Sequence, residues 1–100
     1  MYPLEKFALA VEALASSPNT LQRRLQEAFR HLAFVPAHLL PKELHDRFNS
    51  LISRVVGDGG DGSVIPTTER MADDEAREAA LEVVHIYDEL IGAYYTLRNV

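Results

Sequence analysis

Cysteine is absent from this chain, which excludes disulfides, thiolate metal sites and a cysteine nucleophile. Tryptophan is absent too, and no apolar run approaches the roughly 18 residues that a membrane-spanning helix requires. Basic residues are in deficit, ten Lys and Arg against fifteen Asp and Glu, for a net charge of -5. That sign speaks against affinity drawn from neutralising phosphates, so nucleic acid and anionic membranes are both disfavoured as partners. It suits solubility, or a meeting with a basic protein. The opening residues, Met1 to Lys6, lack the basic and apolar regions of a secretory signal, so a cytoplasmic location is expected. Glycine is scarce as well, and four of the five glycines fall between Gly57 and Gly62.

What the chain does have is helical periodicity. Its 100 residues suffice for one domain with a core of its own and little room for an enclosed substrate cavity. Leu4, Phe7, Ala8, Val11, Leu14 and Ala15 recur at helical spacing and predict a helix over about 3–15, with Pro3 in its first turn. Ser16 to Thr20 reads as a loop that supplies an N-cap, and a second helix over about 20–34 carries Leu21, Leu25, Ala28, Phe29, Leu32 and Ala33 on one face. Pro36 and Pro41 then force a break near Val35 and a new start at Pro41. The third helix, about 41–56, aligns Leu44, Phe48, Leu51, Ile52, Val55 and Val56. After a Gly-rich turn at 57–62, Ser63 is placed to cap a short helical turn through Arg70. Asp73 caps the last helix, about 73–97, with Asp74 and Glu75 in a first turn whose dipole favours acids. No segment alternates with period two, so no sheet is expected. The expected fold is all-α, a four-helix antiparallel bundle with a short extra helical turn before the last helix.

The last helix has the clearest pattern. Ala76, Ala80, Val83, Tyr87, Leu90, Tyr94 and Leu97 are spaced alternately by four and three, a heptad seam, and Val84, Ile86, Ile91 and Tyr95 widen its apolar surface. Such a helix needs cover on more than one side, from the other three helices or from a second copy of the chain. In the second case Val83, Tyr87, Leu90 and Tyr94 form a homodimer seam. Phe29, Phe34, Phe48, Tyr94 and Tyr95 read first as core aromatics, with an exposed subset at an interface as the sharper reading.

Four stretches invite a chemical reading. The glycine cluster "GDGGDG" fails as an EF-hand, since aligning Asp61-Gly62 with positions five and six puts Gly57, Gly59 and Thr68 where oxygen ligands and an acid belong. It fails as a P-loop because Ser63-Val64, not Lys and a hydroxyl, follow Gly62, and as a dinucleotide fingerprint because a helix precedes it. A polar turn between helices remains. Glu82-Val83-Val84-His85 is a single Glu-x-x-His where a di-iron bundle needs two, with two further glutamates. It also lies on the polar stripe of its helix, so no metal and no cofactor is expected. Arg24 and His31 share a flank of the second helix, where one could hold a phosphate and the other move a proton. Their spacing resembles the Arg-x(4–6)-His signature of HEPN-type ribonucleases, which implies a metal-independent RNase as an alternative function. Arg23, Arg24 and Arg30 make a weak case for DNA binding without a helix-turn-helix or a basic stripe. His38 and His45 form no dyad, and no serine has a nucleophile-elbow context.

Pro3-Leu4-Glu5-Lys6-Phe7, Leu40-Pro41 with Phe48, Gly60-Asp61-Gly62-Ser63 and Tyr87-Asp88-Glu89-Leu90 together resemble the layout of a group of small bacterial helical proteins. The resemblance implies a bacterial setting and a shaped turn at Gly60 to Ser63, and carries no activity with it. The expected function is a non-enzymatic binding or regulatory module of the bacterial cytoplasm. Its acidic ridge, Glu75, Glu78, Glu82, His85, Asp88 and Glu89, is expected to dock a basic protein such as a toxin, a nuclease or a defence-system component.

Overall fold

The computed structural model describes residues 2–56 and 68–98 of the chain, with side chains over 3–56 and 68–94. The Gly-rich turn at 57–62 and the capping position of Ser63 lie outside the described residues. Within them the secondary structure is helical and contains no strand.

Helix α1 spans Tyr2–Ser16, with Pro3 and Glu5 in its first turn, and buries Phe7, Ala10 and Leu14. Ser16 turns its hydroxyl back onto the Glu12 carbonyl (2.7 Å), satisfying one acceptor of the last turn. Thr20 then adopts an extended backbone, and its Oγ1 accepts from the Arg23 amide at 3.3 Å, the N-cap bond that starts α2 at Leu21. Helix α2, Leu21–Leu32, buries Leu25, Ala28, Phe29 and Leu32 at its helical repeat. It ends two residues short of the expected limit, with the Ala33 amide closing on the Phe29 carbonyl (2.9 Å).

The connection that follows is more structured than a break at two prolines suggests. Pro36 and Pro41 are both extended in ψ, at 129° and 144°, and each is followed by one turn of 3-10 helix, Ala37–Leu39 and Lys42–Leu44. The third helix therefore begins at His45, four residues beyond the expected start at Pro41. The reason is local: the Leu44 amide bonds to the Pro41 carbonyl (2.9 Å) across three residues, not four, and the backbone enters the α region at His45. The imidazole of His45 pins this turn through Nε2, 2.8 Å from the Leu40 carbonyl. Val35, Leu40 and Leu44 drop from the connection into the core.

Helix α3, His45–Val56, buries Phe48, Leu51 and Val55. Of the extra turn expected before the last helix, Thr68 and Glu69 are helical, and the Met71 amide closes on the Thr68 carbonyl with Thr68 wholly buried. Helix α4, Asp73–Arg98, is the longest element and buries Ala76, Ala79, Val83, Ile86 and Leu90. All four helices contribute to one hydrophobic cluster. At its centre the rings of Phe7 and Phe48 lie 5.8 Å apart and tilted by 55°, joining α1 to α3. Gln22 fastens the start of α2 to the start of α4, donating to the Met71 carbonyl (3.2 Å) and the Asp73 carboxylate (2.8 Å). Among the described residues no helix is long and apolar enough to cross a membrane.

Candidate functional site

Burial of one side of α4 in the core leaves its other sides to solvent, and the acidic residues fall there because a 3.6-residue period separates them from Ala76, Val83 and Leu90. Glu78, Asp88 and Glu89 are exposed, as is His85, while Glu82 is partly buried at the border with α3. Glu75 serves its own helix, its Oε1 accepting from the Ala72 amide (3.3 Å) ahead of the first turn. Asp88 stands about 100° round the helix from Glu89, so it leaves the ridge for the adjoining flank.

The ridge is met from within the protein by Arg47. One residue before the buried Phe48 on α3, its guanidinium lies between two carboxylates that are two turns apart on α4. Nη2 donates to Glu82 Oε1 at 2.7 Å and Nε reaches Glu82 Oε2 at 3.5 Å, while Nη1 donates to Glu89 Oε2. Hydrogen bonding to Arg47 holds the Glu82 carboxyl below its usual range against the opposing effect of partial burial, and the charges of Arg47, Arg54 and His85 lower it further. The same two carboxylates hold the Arg47 guanidinium above its already high value. Glu82 and Glu89 thus have a resident cation, and the ridge's remaining negative charge, Glu75 and Glu78, lies toward the start of α4. Toward the helix start, Arg54, Glu78, Leu81, Glu82 and His85 line a shallow depression of about 280 Å³. A wider, open depression of about 740 Å³ runs along the polar side of α3, over Asp46, Asn49, Ser50, Ser53 and Arg54.

Sequence reasoning did not single out Arg47. It is 35 and 42 residues from its partners, and its local pattern is that of any solvent-facing helical arginine. The one hint is its place beside Phe48, whose burial brings position 47 to the α3–α4 border.

The other candidates sit as follows. Val83 and Leu90 are inside this chain's own core, at 0% and 2% exposure, and have no surface to offer a second copy. Tyr87 packs half-buried against that core, and Tyr94 is half-buried. Phe29 and Phe48 are core residues, whereas Phe34, just past the end of α2, is 83% exposed. Arg24 is committed to structure: its Nη1 donates to the Leu14 carbonyl (2.9 Å) near the end of α1, and its Nε is buried with no partner. His31 is half-exposed on α2, and Arg23 and Arg30 are exposed. Glu27 accepts from Asn19 Nδ2 (2.9 Å), tying the loop to α2. Among the described residues no group of three or more His, Asp or Glu is placed to hold a metal ion. No family model, no curated protein and no solved structure matches the chain, so the reading of function rests on its own residues.

Proposed function

We propose that this protein is a non-enzymatic protein-binding or regulatory module of the bacterial cytoplasm, an antiparallel bundle whose α4 ridge docks a basic partner. The observation that carries the reading is the arrangement of Arg47 with Glu82 and Glu89. It displays, within one chain, how the ridge receives a guanidinium: carboxylates at i and i+7 on α4 close on it from both sides. Glu75 and Glu78 continue the same side of the helix toward its start, where Glu78 is exposed beside His85 and carries no structural bond among the described residues. A basic side chain from a partner would find there the acceptors that Arg47 finds one to two turns further on. Charge of this kind contributes association rate and orientation more than bulk affinity, so binding should weaken with salt.

The test is capture of the tagged protein's partners from host lysate under nuclease treatment, compared with a Glu78→Lys variant, since Glu75 is engaged with the Ala72 amide. The expected result is a stoichiometric protein partner that is released by high salt and lost from the variant, whose melting temperature stays within about 3 °C of the parent. Equal retention by the variant overturns the reading. Glu82 is unsuitable for such a test because reversing its charge would also break the bond to Arg47. The alternative of a metal-independent ribonuclease using Arg24 and His31 is weakened by the bond from Arg24 to Leu14, which engages the group that would hold a phosphate.

A further inference from the structure

On the flank of α4 next to the ridge, Arg77, Leu81, Val84 and Asp88 are spaced four, three and four and form one narrow strip along the helix. All four are exposed, and the two apolar members are large: Leu81 is 47% and Val84 40% accessible. Half-buried Ala80 and Ile91 continue the apolar surface at the strip's edge. Neither Arg77 nor Asp88 has a hydrogen-bond or ion-pair partner among the described residues.

The strip has an internal symmetry. Leu81 and Val84 flank the point midway between residues 82 and 83, and so do Arg77 and Asp88. A twofold axis through that point sets Leu81 against Val84 of a second copy, and Arg77 against Asp88 of that copy, twice over. In heptad terms this is the a-against-d pairing of antiparallel helices. A parallel pairing would set Arg77 against Arg77 and Asp88 against Asp88 around the same two apolar residues, and like charges at such positions repel. The strip is therefore complementary in charge, and in the order of its apolar residues, to its own reverse.

We infer that this flank of α4 is a self-association surface: two copies of the chain pair their last helices antiparallel about the Leu81/Val84 centre, with reciprocal Arg77–Asp88 ion pairs at the ends. This surface differs from the seam expected at Val83, Tyr87, Leu90 and Tyr94. It leaves Glu82 and Glu89 facing away from the axis, with Glu78 at its border, and its test reads self-association alone, with no ridge partner present. Arg77 to Asp88 is about 16 Å of helix, an interface at the small end of the specific range, so the dimer should be concentration-dependent, with Kd on the order of micromolar or weaker.

Light scattering and sedimentation of the full chain from about 1 μM to about 1 mM read this directly. The expected result is a mass that rises from one chain toward two. Arg77→Asp alone or Asp88→Arg alone turns both reciprocal pairs repulsive and should raise Kd about tenfold or more. An equimolar mixture of the two variants should recover association near the parent's, because each now supplies the charge the other lacks at both ends. Both positions are exposed, and helical content by circular dichroism checks that the variants fold. A parent that remains a monomer throughout overturns the inference, and so does a dimer indifferent to either single change. If the single variants fail and their mixture does not recover, the antiparallel register is wrong and the inference falls.

Discussion

Arg47 bridges two helices through groups with little else to hold them in place, since Glu82 and Glu89 both belong to the solvent side of α4. The guanidinium side chain is 37% exposed, so screening limits the pair's worth to about 1 kcal/mol. Arg47→Ala should therefore lower stability by about that amount in urea denaturation near pH 7. The pH dependence has a definite sign. Glu82 has a lower pKa folded than unfolded, so the unfolded state binds more protons between the two values, and stability rises with pH across that window. The parent's advantage over Arg47→Ala should be complete above the ordinary carboxylate pKa near 4.5 and should shrink as pH falls through the lowered value. An advantage that is unchanged in acid would mean that Arg47 acts through packing of its stem alone. At this scale the sequence was least informative. The acids were visible as a stripe because they recur on one helix, whereas their cation arrives from another helix by tertiary packing, which no local spacing encodes.

The helices themselves were legible, and for a physical reason. Each buries a single stripe, so Phe7-Ala10-Leu14, Leu25-Ala28-Phe29-Leu32 and Phe48-Leu51-Val55 repeat at three and four residues. Where backbone chemistry decides instead of burial, legibility drops. Pro36 and Pro41 do interrupt the helices, but each is followed by a 3-10 turn, and Leu40 just past the first and Leu44 in the second are buried at a spacing that fits a helical stripe equally well. The start of α2 offers a clean test of local chemistry. Its cap is one threonine oxygen on one amide, so Thr20→Ala should cost about 1 kcal/mol of stability in denaturant unfolding, and Thr20→Ser or Thr20→Asp should recover most of it. No loss in Thr20→Ala would show that the Gln22 link to Met71 and Asp73 fixes this end of the helix by itself.

Across the whole molecule, one cluster of buried side chains spans all four helices, and no subset of them has a separate core among the described residues. Phe48 lies in it against Phe7, so Phe48→Ala should remove about 3 to 5 kcal/mol, a large part of what a domain of this size has to lose. Because the cluster is shared, circular dichroism and a probe attached to α1 should report the same shifted midpoint; separate transitions would mean that the helices unfold in parts. The acidic balance was evident from composition, but its division into a ridge with a resident cation and a flank with one charge of each sign emerged only once α4 was seen against α3. The span of the core also bears on how the protein is made. Phe7 enters the ribosomal exit tunnel 83 residues ahead of Leu90, an interval of about 4 to 17 s at ordinary rates of synthesis. During that time α1, α2 and α3 are joined to the ribosome with the apolar surface that α4 covers still open. A nascent chain of this protein should be a chaperone client until α4 has emerged from the tunnel, and the folded state is reached only then.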